Sequence, residues 1–236
     1  MNWWVGTSGF SYKEWKGAFY PEKLAAKDML AFYATRLTAV EINNTFYRSP
    51  SAALLEGWAS QVGDGFRFVL KATRRITHFA RLKESAAEPT AYFLETAAGL
   101  GARLGPILFQ LPPNFRADPE LLGGFLARLP EGTRAAFEFR HESWLTEEVY
   151  ARLRERNVAL CRADSDGDED AALVSTADYG YLRLRRTAYG DDALRLWRDR
   201  ARDAGWEDAH VFFKHEDEAA GPRLAGRFLE LARSGS

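Results

Sequence analysis

Ala135-Ala136-Phe137-Glu138-Phe139-Arg140 is an apolar run that turns to charge at its C-terminal end and leads into His141-Glu142-Ser143-Trp144. Read as a strand, it sets Phe137 and Phe139 on one face and Ala136, Glu138 and Arg140 on the other, because side chains alternate across a strand. The pattern recurs on both sides. Toward the N-terminus it returns at residues 106–110, 66–71, 39–43 and 3–7; toward the C-terminus at 158–164, 181–185 and 210–214. Longer amphipathic stretches lie between these runs, at 25–36, 51–61, 86–100, 119–129, 147–155 and 194–204, and another follows the last run at 223–232. The sixth connection, 166–176, is short and acidic, with room for a single helical turn.

Eight strand-helix units in 236 residues average about 29.5 residues each, the size of one βα repeat. Strand-helix alternation points to a parallel sheet with its helices packed outside. Eight units suffice to close the sheet, so the expected fold is α/β, a single (β/α)8 TIM-type barrel over residues 1–236. No Pro/Gly/Ser-rich linker divides the chain. Gly6-Thr7-Ser8-Gly9 lacks the GxGxxG spacing of a dinucleotide fold.

The polar faces are informative at their C-terminal ends. Glu41 and Asn43, Lys71, Gln110, Glu138 and Arg140, Arg162 and Asp164, Arg183 and Arg185, and Lys214 all lie opposite apolar faces. In a barrel the apolar faces meet the helices, and these polar ends converge at the mouth where such barrels place their active sites. Burying so many charges for stability alone is unprofitable, since desolvation often cancels the Coulomb gain. The alternative is a set of structural pairs, Glu138 with Arg140 or Glu41 with Lys71.

Composition narrows the chemistry. Lys and Arg total 32 against 33 Asp and Glu, so nucleic acid binding by bulk positive charge is not favoured. Cys161 is the single cysteine, which excludes an internal disulfide and a Cys-based zinc site. Only four histidines are present: His78, His141, His210 and His215. An oxygen-rich Mg or Mn site from Glu41, Glu138, Asp164 and one histidine is conceivable, but nearby cations compete for the same carboxylates, so a divalent metal is not favoured. No segment approaches the ~18 apolar residues of a membrane span, and the N-terminus does not read as a signal peptide. The expected location is cytoplasmic, with no membrane partner.

The loops after the strands carry the remaining candidates. Gly6-Thr7-Ser8-Gly9-Phe10-Ser11-Tyr12 suits either a backbone anion loop or a tight turn, and places Ser8 and Tyr12 at the mouth. Trp15, Tyr47 and Trp144 lie just beyond strand ends, where they are expected to rim the mouth and stack on a ring-shaped ligand. His78 follows the third strand and Gln110-Leu111-Pro112-Pro113 the fourth, where a cis proline is conceivable.

Several blocks together resemble the YecE-like proteins: Gly6-Thr7-Ser8-Gly9-Phe10 with Trp15 and Phe19-Tyr20-Pro21; Val40-Glu41-Ile42-Asn43 with Thr45-Phe46-Tyr47-Arg48; Lys71 with Thr77-His78; Leu108-Phe109-Gln110-Leu111-Pro112-Pro113; Glu138-Phe139-Arg140-His141 with Ser143-Trp144; and Cys161-Arg162-Ala163-Asp164-Ser165. The resemblance covers nearly the whole chain. It implies a TIM-type barrel of a domain-of-unknown-function family, similar at fold level to sugar isomerases and endonuclease IV-like phosphodiesterases. The chain departs from the family after the last strand, with Lys214-His215-Glu216-Asp217 in place of an asparagine-rich stretch.

The expected function is acid/base chemistry on an anionic or polyhydroxylated small molecule, sugar-phosphate or nucleotide-like. Glu138 or Glu41 is the expected acid or base, with Asp164 at the end of the sixth strand. Lys71 and Arg140 stabilise developing negative charge, and His78 or His141 shuttles protons. Ser8, Tyr12, Trp15, Asn43, Tyr47, Gln110, Trp144, Arg183 and Lys214 are the expected substrate contacts. A metal-dependent phosphodiesterase and a non-catalytic nucleic-acid or protein-binding module are the alternatives.

Overall fold

The computed structural model describes residues 1–166, 173–214 and 219–234. Eight parallel strands form one sheet: β1 (Asn2–Ser8), β2 (Ala39–Ile42), β3 (Arg67–Leu70), β4 (Ile107–Gln110), β5 (Ala135–Glu138), β6 (Ala159–Asp164), β7 (Tyr179–Leu184) and β8 (Asp208–Phe213). Their order is β3-β2-β1-β8-β7-β6-β5-β4. The ends of that order meet. Gly105 N donates to Phe68 O at 2.8 Å and Ala72 N to Leu108 O at 2.9 Å, and the bridges Phe68–Leu104 and Lys71–Leu108 complete the seam. The sheet is therefore a nearly closed barrel, with the eight expected strands in the expected places.

The helices are α1 (Met29–Ala34), α2 (Ala52–Ala59), α3 (Ala87–Ala97), α4 (Pro119–Ala127), α5 (Glu147–Glu155), α6 (Asp191–Asp203) and α7 (Ala220–Arg233). Their starts follow from local chemistry. Asp118 caps α4 by accepting from Leu121 N at 2.9 Å, with Pro119 in the first turn, and Ser51 accepts from Leu54 N at the start of α2. The expected helix at 25–36 is shorter than its pattern, with a 3-10 turn at Ala26–Asp28 before α1. Much of the acidic connection 166–176 lies outside the described residues, as does 215–218 after Lys214.

Strand parity sorts two cores. Val40, Ile42, Phe68, Leu70, Phe109, Phe137, Leu182, Val211 and Phe213 face the helices in one large cluster. Ala39, Val69, Leu108, Ala136, Cys161, Tyr181 and Phe212 fill the barrel interior in a second. Strand β6 departs from expectation. Cys161 points inward, so the opposite parity carries Asp164 outward, where its carboxylate accepts from Trp197 Nε1 on α6, from Tyr189 OH and from Arg186 Nε.

The abundant aromatics pack mainly between strands and helices. Trp15 is 1% exposed, stacked near Tyr12 and Tyr20. Trp144 is fully buried, lies parallel to Phe139 at 4.8 Å and donates to Phe115 O at 2.6 Å. Neither rims the mouth, which corrects the expected ligand-stacking role for both. All described peptide bonds are trans, so Pro112 and Pro113 hold no cis bond.

Candidate functional site

Position 41 on β2 and position 183 on β7 both face inward near the C-terminal ends of their strands, and their side chains meet across the barrel. Arg183 Nη2 donates to Glu41 Oε1 at 2.6 Å, and its Nη1 to Glu138 Oε2 at 2.5 Å. One guanidinium thus bridges two carboxylates, each at most 1% exposed. Glu41 is saturated. Its Oε1 also accepts from Ser8 Oγ at 2.8 Å and Asn43 Nδ2 at 2.9 Å, and its Oε2 from Tyr181 OH at 2.6 Å. Burial pushes its carboxyl upward, but Arg183 and these donors outweigh burial and hold it at about 2.

Glu138 is surrounded by cations. Arg140 Nε lies 2.5 Å from its Oε1 and Arg185 Nη2 3.6 Å from its Oε2. Against burial, Arg183, Arg185 and Arg140 together lower its pKa below the usual carboxylate range. Two positions apart in extended chain, Glu138 and Arg140 are separated by about 6.6 Å at ~3.3 Å per residue, and the long arginine side chain folds back across that distance. Arg140 nevertheless does not aim an N–H at Oε1, which has no aligned hydrogen bond, and the Nε groups of Arg183 and Arg185 are also left without one.

Lys71, just past β3, donates to Gln110 Oε1 at 2.9 Å, and Gln110 also accepts from Arg183 Nη1 at 3.3 Å. The Lys71 amine lies 4.4 Å from the Phe46 ring centre. Burial and then Arg183 bring its pKa down to about 8, against the opposing pull of Glu41 and Glu138. His78 sits close by, its ring 4.8 Å from Phe46 and its Nδ1 2.9 Å from Thr77 Oγ1; burial, Lys71 and Arg81 lower its pKa.

The mouth therefore brings together Ser8, Glu41, Asn43, Lys71, Gln110, Glu138, Arg140 and Arg183. Tyr12 stands at its edge, its hydroxyl bonded to Ser8 O at 2.7 Å. Beside the charged cluster, over the loops after β1 and β2, a cleft of about 420 Å3 is lined by Ser8, Tyr12, Asn43 and Trp58 and by none of the charged side chains. The Gly9 N–H is spent on Glu41 O at 2.8 Å, so the first loop works as a turn here. His141 Nδ1 accepts from Ser143 N at 3.1 Å and caps a short turn. Tyr47 is 70% exposed on the rim, and Lys214 is exposed. Asp164 stands apart, on the helix side of the barrel wall. Among the described residues no three His, Cys, Asp or Glu side chains are grouped to hold a metal, and the carboxylates of Glu41 and Asp164 engage separate partners.

Sequence reading placed Arg185 at the mouth by parity but missed Tyr181 and Phe46 as parts of this site. Tyr181 was legible, since it shares inward parity with Arg183 on one strand. Phe46 was not, because a loop residue has no parity.

An α/β barrel with a charged mouth at the C-terminal ends of its strands defines a broad class of proteins. The family model described as "Protein of unknown function DUF72" matches residues 4–236, and the chain belongs to this family, the YecE-like proteins. The chain is 31% identical to the UPF0759 protein YecE of Escherichia coli K12 over 116 residues, 49% of this chain and 42% of that protein. The matched stretch thus spans under half the length of that curated relative. A DUF72 family protein from Thermotoga maritima superposes with a TM-score of 0.80 at 26% identity, covering 99% of this chain and 100% of that one. Another from Enterococcus faecalis gives 0.79 at 18% identity, covering 98% and 95%. No helix among the described residues is long and apolar enough to cross a membrane.

Proposed function

We propose that the barrel mouth binds the oxyanion of a small anionic molecule and carries out proton transfer on it. The observation behind this reading is an excess of positive charge. Among the described residues, Lys71, Arg140, Arg183 and Arg185 surround two carboxylates, Glu41 and Glu138, two more cations than anions. Buried, unspent N–H groups on Arg183 and Arg185 add donors of the kind a phosphate or carboxylate accepts. Glu41 is a fixed anion, so the acid/base role expected of the carboxylates passes to Lys71, whose pKa burial and Arg183 bring down to about 8, with His78 beside it.

Thermal shift with phosphate or sulfate against chloride of equal ionic strength tests the anion site. A ligand that binds only the folded state stabilises it by about 2.7 kcal/mol at a hundred times its Kd. A saturable rise in Tm, reduced in Arg140→Gln, is the expected result. An unchanged Tm at tens of millimolar phosphate overturns the reading.

A further inference from the structure

The cations of the mouth are not equivalent. Arg140, Arg183 and Arg185 each lie within ion-pair distance of Glu138, at 2.5, 2.5 and 3.6 Å. Among the described residues Lys71 pairs with no carboxylate. Its amine donates to the neutral Gln110 and rests against the face of Phe46. Its backbone is fixed as well: Lys71 O accepts from Thr45 Oγ1 at 2.7 Å, and Lys71 N donates to Ile42 O at 3.1 Å. The amine is thus positioned by a neutral amide and a ring rather than by a direct ion pair among the described residues. Burial and the neighbouring Arg183 guanidinium favour the neutral amine, the nucleophilic form, against the pull of Glu41 and Glu138 and of the Phe46 ring face. The chain has seven lysines, and of the other six Lys13, Lys23, Lys27, Lys83 and Lys214 are exposed and Lys16 is half-buried.

We propose that Lys71 forms an imine with the carbonyl carbon of an anionic aldehyde or keto compound whose oxyanion is held by Arg140 and Arg185. This rests on the anion-binding reading and deepens it by naming the substrate class. In the first step the Nζ lone pair forms a C–N bond, the C=O π bond breaks, and one N–H proton passes to the carbonyl oxygen. In the second, nitrogen forms the C=N bond as the C–O bond breaks, and the hydroxyl departs with the other N–H proton as water. Addition of water reverses both steps. No oxidant or reductant enters. Once protonated, the imine draws electrons from a neighbouring bond, the standard use of such a lysine.

The test uses the full chain with pyridoxal 5′-phosphate as an anionic aldehyde and borohydride to fix the imine, followed by peptide mass mapping. The expected result is one label per chain, at Lys71, formed faster as pH rises through about 8. Millimolar phosphate slows it at least tenfold, pyridoxal without its phosphate labels at least tenfold more slowly, and Lys71→Arg takes no label at that place. Label on any of the other six lysines with none on Lys71, or no label at all, overturns the imine. If phosphate still raises Tm in that case, the anion site stands without it. If phosphate neither raises Tm nor slows labelling, the anion site falls and the proposal falls with it.

Discussion

Glu41 accepts four hydrogen bonds, from Ser8, Asn43, Arg183 and Tyr181, and this environment sets how the molecule responds to acid. Its folded pKa of about 2 lies below the ordinary 4.5, so its contribution is full above pH 4.5 and is lost as pH falls toward 2. The shift corresponds to a contribution on the order of 3 kcal/mol. Urea titrations at pH 6 and pH 3 are expected to show about 2 kcal/mol of that loss, the rest falling below pH 3, with a much shallower pH dependence in Glu41→Gln. Glu138→Gln removes the charge that Arg183, Arg185 and Arg140 share. Leaving Arg183 buried beside a neutral amide is expected to cost ~3–5 kcal/mol in chemical denaturation. A loss below 1 kcal/mol contradicts the structural role assigned to this carboxylate. The inward placement of Glu41, Lys71, Gln110, Glu138 and Arg183 was legible from strand parity. Their pairing was not, because parity fixes a face but says nothing of where a five-bond side chain ends. The sequence suggested Glu41 with Lys71; the longer Arg183 reaches both carboxylates first.

At the scale of elements, the first two strands are joined by a helix side chain. Tyr33 OH on α1 accepts from Thr7 N at 2.8 Å and donates to Ala39 O at 3.0 Å, inserting between β1 and β2. Gly6 is required beside it, since a Cβ there would lie 1.7 Å from Ala39 O and 2.7 Å from Tyr33 OH. Tyr33→Phe leaves a buried N–H and a buried C=O without that partner, and a loss of ~1–3 kcal/mol in Tm-derived stability is expected. Strand positions were readable because apolar runs of strand length ended in charge at regular intervals. The parity of β6 was not, because small inward residues such as Ala159 and Cys161 look the same as small outward ones. Only the contacts of Asp164 with Trp197 and Tyr189 reveal which side is which. Trp15 and Trp144 misled for a related reason: a loop aromatic after a strand has equal sequence logic as a ligand platform or as a lid on the core.

For the whole molecule, closure is uneven. β1 pairs with β8 over six residues, while β3 and β4 meet through the bridges at Phe68–Leu104 and Lys71–Leu108. Local opening starts where backbone pairing is sparse. Amide hydrogen exchange is therefore expected to be faster at Gly105 and Ala72 than at Val5 or Val211, and equal protection at both places contradicts a weak seam. Phosphate bound beside Lys71 is expected to slow exchange at Ala72, tying the seam to the site.

Cys161 gives this barrel a built-in clock. The chain has no other thiol, and this one is enclosed with Ala39, Tyr181 and Phe212, with burial raising its pKa well above the ordinary value. A disulfide reagent in solution meets no reactive partner on the intact surface, so each thiol consumed counts one interior laid open. The rate of that reaction in native buffer, with no engineered label, times the breathing of the barrel wall.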